Sequence, residues 1–327
     1  MGRVVLVTGV ARDLGAGFAR ALATTPGIDK VVGLDVFPPQ ADLQGVKFVR
    51  VDIRTPVVGK VLAVEDIDTV VHMNVAAPQR GIGARGSIKE LNVIGTMQLL
   101  AACQGSANVS KLVLQSATAV YGTSPRDPAM FTESMAARGG IGGGFPKDAV
   151  EVEGYARGFG RRRPDVLLTT LRMSNVLGHG VLTPFGEFFK LPALPTVLGY
   201  DPRLQFVHPE DAWGALTRAV VEDHPGIFNV AGADVVSLGQ AARRLGRPTL
   251  RLPSLGFATM THRLVRAMKS DFTPELSRLL MYGRVVDTTA LRETFGYEPL
   301  HTTPETLDEF AIGARPGVLS AVGGVHG

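Results

Sequence analysis

A short apolar run at residues 3–7 (RVVLV) leads into Thr8-Gly9, and the loop VTGVARDLG then carries Gly9 and Gly15 ahead of an apolar helix pattern. A tight strand-to-helix turn of this kind aims backbone N–H groups and a helix N-terminus at an anion, as a dinucleotide pyrophosphate requires. The middle position of the glycine frame is Arg12, followed by Asp13 and Leu14. Asp35 closes the next apolar run, about 20 residues past Gly15, where a carboxylate accepts hydrogen bonds from ribose hydroxyls and repels a 2′-phosphate. Arg12 pulls the other way, because a guanidinium pairs with phosphate, unless it simply lies exposed across the adenine. The cofactor expectation is NAD(P)(H): Asp35 favours NAD and Arg12 keeps NADP open.

The elements that must hold these residues alternate as strand and helix. Apolar runs at 31–34, 47–51, 69–73, 111–115 and 166–172 predict further strands, and amphipathic stretches at 14–24, 87–104 and 146–162 predict helices. Continuous apolar strands imply burial on both faces. The fold class expected is α/β, a Rossmann-type doubly wound parallel sheet over residues 1–175, with 176–327 forming mainly a smaller C-terminal substrate lobe from which some segments return to the first domain. The glycine-rich stretch 134–146 reads as a loop, either a surface excursion or a border of the site. Residues 259–282 have helical spacing, with Thr273-Pro274-Glu275 as a helix start, and suit either core packing or a lid.

Several further motifs occur in one order along the chain: VDIR at 51–54, VVHMNVA at 70–76, LNVIGTMQLLAAC at 91–103, SATAVYG at 116–122, LRMSNVLGHG at 171–180, QFVHPEDAWGAL at 205–216, GIFNVAG at 226–232 and VVDTTALRETFGYEP at 285–299. Together with the glycine loop, they resemble the extended short-chain dehydrogenase/reductases, the family of NAD-dependent sugar epimerases and dehydratases, over nearly the whole chain. The resemblance implies that Asp52 and Ile53 hold the adenine, Asn74 and Val75 lie near the ribose, and Ser174 and Asn175 face the nicotinamide or substrate. It places Asn92 at the family's helix-bending asparagine, a residue that could equally cap or kink its own helix.

The same resemblance exposes what is missing. Family members polarise a carbonyl with Ser and transfer a proton through Tyr, whose pKa a Lys four residues later depresses. Here the serine position is Ala117, the tyrosine position Phe145 and the lysine position Ala149. The five tyrosines, at 121, 155, 200, 282 and 297, are followed four residues later by Pro125, Phe159, Leu204, Val286 and His301, so no Tyr-x-x-x-Lys exists in any register. Candidate polar substitutes are Ser116, Thr118, Tyr121, Asn74 and His179, with Lys147 able to swing toward the ribose. Hydride transfer survives such losses better than proton abstraction from an unactivated alcohol. The expected activity is therefore an atypical ketoreductase of specialised metabolism. It would reduce a conjugated or phenol-flanked ketone with a proton from substrate or water. The alternative is an NAD(P)-binding sensor without turnover, and a nucleotide-sugar epimerase or dehydratase ranks below both.

Composition excludes other classes. The 327 residues are 45% hydrophobic and 20% charged, enough for a large core. A net charge of +4 is spread along the chain, which argues against nucleic acid as a partner. Arg161-Arg162-Arg163 before Pro164 reads as a solvated helix end. No apolar stretch suits a membrane span, and the N-terminus reads as a strand rather than a signal, so a cytoplasmic monomer or homodimer acting on a small molecule is expected. Cys103 is the single cysteine and should be buried; no metal site is expected.

Overall fold

The structure is a computed structural model that describes residues 2–73, 88–139, 144–255, 257 and 273–313. Seven strands form its central sheet: β1 (Arg3–Thr8), β2 (Ile28–Asp35), β3 (Val46–Arg50), β4 (Thr69–His72), β5 (Lys111–Ala117), β6 (Leu167–Met173) and β7 (Gly226–Val230). Their order is β7-β6-β5-β4-β1-β2-β3, and every neighbouring pair runs parallel. This is the doubly wound arrangement. The order reverses between β1 and β4, and ligands of such sheets bind outside the carboxyl ends of the strands at that point. Thr8 pairs in register with His72 there.

Helices cover both faces, which explains the uninterrupted apolar runs. One layer holds α1 (Asp13–Ala23) and the later helix Pro209–Val221, whose Phe18, Leu22, Ala212 and Leu216 pack with Val5, Val7 and Val31. The other holds α2 (Val57–Val64), α3 (Gly95–Gly105) and α4 (Phe145–Arg162), where Leu62, Leu99 and Phe159 meet Leu6 and Val70. Cys103 is fully buried among them, and burial pushes its thiol up to about 12, so it behaves as the packing residue anticipated.

The helix expected from residue 87 is described from 88, and it enters α3 through a π-helical turn, Glu90–Ile94, centred on Asn92. The asparagine therefore sits where the helix changes pitch. Arg161 and Arg162 end α4 exposed, as expected of a solvated terminus. Arg163 does not. Its guanidinium donates to the carbonyls of Cys103, Gln104, Ser106 and Val109 and to the Asp165 carboxylate, so it caps the end of α3 as well as its own helix.

After β6, helices α5 (Pro184–Phe189), α6 (Pro209–Val221), α7 (Leu238–Arg244), α8 (Pro274–Tyr282), α9 (Thr289–Glu293) and α10 (Thr303–Gly313) follow. A second core gathers Phe185, Phe189, Phe206, Leu279, Leu307 and Phe310. β7 returns from this half of the chain to edge the main sheet. Thr273 caps α8 by accepting from Leu276 N–H, with Pro274 in the first turn, so the start read from Thr273-Pro274-Glu275 is where the helix begins; 259–272 lies outside the described residues.

Candidate functional site

The glycine loop folds as its spacing demands. Gly9 has φ +82°, a conformation that glycine adopts without strain. A Cβ on Gly15 would lie 2.3 Å from the Gly9 carbonyl oxygen, so only glycine lets the first turn of α1 sit against β1. Arg12 is the N-cap of α1 and makes no side-chain cap bond, which leaves the first-turn amides without that partner. Asp13 is exposed and accepts from Leu182 N–H at 3.3 Å; the Leu14 carbonyl accepts from Trp213 Nε1 at 3.0 Å.

Asp35 braces the loop from the neighbouring strand. Its Oδ2 accepts from Ala11 N–H at 3.0 Å and its Oδ1 from Val36 N–H at 2.7 Å. Burial raises its pKa, while these bonds and the charge of Arg12 act against the rise. Burial likewise lowers the pKa of Arg12, opposed by the charge of Asp35. Arg12 Nη1 is buried and makes no hydrogen bond within the protein. A buried guanidinium N–H without a partner is costly and fits a ligand acceptor. Ser174 Oγ, at the end of β6, is a second buried polar atom without a partner. The pairing of a close-approach glycine, an uncapped helix start and two orphaned donors fits a dinucleotide laid across the strand ends.

Other expected contacts have protein partners. Asp52 receives Arg54 through Nε and Nη2, the latter at 2.7 Å, and this bonding lowers its pKa. Ile53 is buried beneath α3, where a Cβ on Gly95 would meet its side chain at 2.6 Å. Asn175 starts a two-residue strand beside Phe206-Val207. Lys147 is exposed in the first turns of α4, and Asn74 and Val75 lie outside the described residues.

The three family positions are apolar and packed accordingly. Ala117 is the last residue of β5 and Phe145 the first of α4. Ala149 is fully buried beside Leu114, Val120, Tyr121 and Val152. Ser116 points to the opposite side of the strand from Ala117, as alternation requires, and donates to Glu153 Oε1 at 2.7 Å. Glu153 also accepts Arg172 at both carboxylate oxygens, and Arg172 Nη1 donates to the Tyr121 hydroxyl at 2.9 Å. Tyr121 donates in turn to Asn229 Oδ1 at 2.7 Å and stacks on Phe131. Burial raises the tyrosine pKa, with Arg172 opposing; burial would lower that of Arg172, but bonding and charge from Glu153 carry it well above its ordinary value. Thr118 is buried in the 3-10 turn after β5. Two of the candidate hydroxyls, Ser116 and Tyr121, are thus engaged in an ionic network inside the protein.

One buried chain was not foreseen. Thr96 Oγ1 donates to the Asn92 carbonyl, so it must accept from His72 Nε2–H, and His72 Nδ1 then accepts from Thr8 Oγ1, each at 2.8 Å. Thr8 Oγ1 accepts from Met73 N–H at 3.1 Å. Burial pulls His72 down to about 4, which keeps it neutral. The only sequence signal was a histidine inside the apolar run TVVHM.

Comparison with known proteins agrees with this fold. The model of the NAD dependent epimerase/dehydratase family matches residues 5–231. The chain belongs to the NAD-dependent epimerase/dehydratase family. The Uncharacterized protein Rv0501 of Mycobacterium tuberculosis H37Rv is 41% identical over 315 residues, covering 95% of this chain and 84% of that protein. Among solved structures, the UDP-glucuronic acid 4-epimerase of Bacillus cereus in complex with NAD has TM-score 0.71 at 18% identity, covering 94% of this chain and 97% of that one. The dTDP-glucose 4,6-dehydratase of Bacillus anthracis in complex with NAD has TM-score 0.71 at 17% identity, over 95% and 96%. These likenesses establish the extended short-chain dehydrogenase/reductase fold. No helix among the described residues is long and apolar enough to cross a membrane.

Proposed function

We propose that the chain is an NAD(P)H-dependent reductase of an activated ketone, taking its proton from the substrate or from water. The observation that carries the reading is the contrast between the two halves of the site. The nucleotide half keeps Gly9, Gly15, Asp35 and the orphaned Arg12 Nη1 and Ser174 Oγ. The proton-transfer half has Ala117, Phe145 and Ala149. Hydride donation is the chemistry that a bound reduced nicotinamide supplies.

This chain's own residues would orient the reactants and exclude water. The Asp35 carboxylate supports NAD through the adenosine ribose, and Arg12 leaves room for a 2′-phosphate. The first-turn amides of α1 meet the pyrophosphate, and Ser174 Oγ faces the ring or the substrate. Loss of a general acid costs roughly 10²–10⁴ in rate. A conjugated ketone lowers that demand by delocalising the developing charge, and a phenol-flanked one by donating its own hydroxyl proton to the alkoxide. The NAD-bound epimerase and dehydratase neighbours support cofactor binding. Epimerisation of an unactivated sugar alcohol requires removal of its proton, and the family positions for that step are Ala117, Phe145 and Ala149 here.

A second reading is a dinucleotide-binding protein without turnover. Engagement of Ser116 and Tyr121 in the Glu153–Arg172 network favours it, because neither hydroxyl is free to relay a proton. Single-turnover mixing of the NADH- or NADPH-loaded protein with activated diketones and quinones separates the two. Oxidation of the bound nicotinamide supports the reductase; tight binding without oxidation supports the second reading.

A further inference from the structure

At the N-terminal end of α6, three residues distant in sequence converge. His208 is the N-cap of α6, His301 precedes α10, and Glu309 lies within α10; one ligating atom from each lies within 4.8 Å of the other two. His208 Nε2 is 3.1 Å from Glu309 Oε1, His301 Nε2 is 3.9 Å from Glu309 Oε2, and the two imidazole rings lie 4.1 Å apart between centroids.

We propose that His208, His301 and Glu309 form a divalent transition-metal site, with zinc as the ion best matched to its chemistry. The first argument is the fixed orientation of His301. Asp211 is fully buried, and its carboxylate accepts from the backbone N–H groups of Leu300 and His301. Its Oδ2 also accepts from His301 Nδ1–H at 3.0 Å. That bond places the ring proton of the neutral imidazole on Nδ1 and leaves Nε2 as an acceptor 3.9 Å from Glu309 Oε2. Two acceptors at that distance are bridged by a cation, either a proton on Nε2 or a metal ion, and the second imidazole of His208 beside the same carboxylate points to the metal. A carboxylate behind the distal nitrogen of a histidine is the outer layer that orients metal-binding imidazoles and raises their basicity.

The second argument is composition and reach. Two imidazoles and one carboxylate suit zinc, whose bonds to such ligands are about 2.0–2.2 Å and place tetrahedral neighbours about 3.3 Å apart. The separations of 3.1 and 3.9 Å straddle that value, so small side-chain rotations close the site. Glu309 is 43% exposed, which gives an ion a route in and leaves a fourth position for water.

His208 carries the cost. Its Nδ1 accepts from Glu210 N–H at 3.4 Å, so its proton now sits on Nε2. Metal at Nε2 moves that proton to Nδ1 and gives up this long bond. His179 holds the same turn of α10 through the Glu309 carbonyl at 2.8 Å, which keeps the helix in place while the side chains rearrange. His208 begins a helix of the sheet's core, whereas Leu307 and Phe310 of α10 belong to the second core, so the ion would staple the two together.

The test uses tag-free full-length protein, stripped with a chelator and desalted, then titrated with Zn(II) by calorimetry and with Co(II) by visible absorption. One ion per chain and intense Co(II) d–d bands of tetrahedral type are expected. Glu309→Gln and His301→Gln should each weaken affinity at least tenfold, and Asp211→Asn, which touches no ion, by about 10–100-fold. Circular dichroism of each variant confirms folding, and Glu309→Gln at its partly exposed position serves if the others unfold. Absence of stoichiometric binding overturns the proposal. So does binding that Glu309→Gln and His301→Gln leave unchanged. The outcome is independent of whether the chain reduces ketones.

Discussion

Arg172 grips Glu153 with two parallel bonds, Nε to Oε1 at 3.0 Å and Nη2 to Oε2 at 2.7 Å, with both side chains almost wholly buried. The pair joins β6 to α4 and holds the Ser116 hydroxyl on the face of β5 opposite Ala117. Breaking such a pair leaves a charge without compensation, whereas replacing both partners with apolar groups can be neutral.

Glu153→Gln should therefore destabilise the protein by about 3–5 kcal/mol, because Arg172 loses its counter-charge while still bonded to Tyr121. The double variant Glu153→Leu with Arg172→Met should recover much of that loss. Urea unfolding of the two variants checks the difference; equal losses would mean that the pair is not the source.

Restoring the family lysine should fail structurally. Ala149 is fully buried against Leu114, Val120 and Tyr121, so Ala149→Lys must overpack that cluster or drive an ammonium into it. A loss of at least about 3 kcal/mol is expected by thermal unfolding. A variant as stable as the parent would show that this face of α4 opens toward the site.

Much of the fold was legible because doubly buried strands are uninterrupted apolar runs and because Gly9, Gly15 and Asp35 recur at a spacing that geometry imposes. The charged residues inside those strands were not. Lys111 is 1% exposed, and its ammonium reaches the carbonyls of Val220 and Glu222 at the end of α6, a partnership across more than a hundred residues that no local pattern encodes. Arg163 read as a solvated cation for the same reason: the carbonyls it caps belong to another helix. The separation of Ser116 from Ala117 was legible from strand alternation, but the Glu153 partner that consumes its hydroxyl was not. Likewise, His208, His301 and Glu309 meet only once α10 docks.

Nucleotide preference should respond to Asp35. Asp35→Asn removes the charge that repels a 2′-phosphate and leaves Arg12 Nη1 without an opposing carboxylate, so affinity for NADP should rise relative to NAD by about tenfold, or ~1.4 kcal/mol. Calorimetric titration with the two oxidised cofactors measures the ratio. An unchanged ratio would remove Arg12 and Asp35 from the adenosine site.

His72 should produce an acid limb. Its folded pKa is about 4 against an ordinary 6.5, so both states are neutral above pH 6.5 and no penalty applies there. Between pH 6.5 and 4 the unfolded chain takes up a proton that the folded one refuses, and stability falls with pH, by about 2 kcal/mol at pH 5 from this group. Glutamine can accept from Thr8 and donate to Thr96 without titrating. His72→Gln should therefore flatten the slope of unfolding free energy between pH 6.5 and 5; an identical slope would place the histidine elsewhere.

Reduction without a tyrosine is tested by single-turnover mixing. Protein loaded with one equivalent of NADH or NADPH is mixed with an activated diketone, and nicotinamide absorbance is followed beside a parallel incubation of the NAD-loaded protein with UDP-glucose. Oxidation of the bound nicotinamide by the diketone, with UDP-glucose left unchanged, is the result predicted. Interconversion of the nucleotide sugar, or a bound reduced nicotinamide that no ketone consumes, would contradict it.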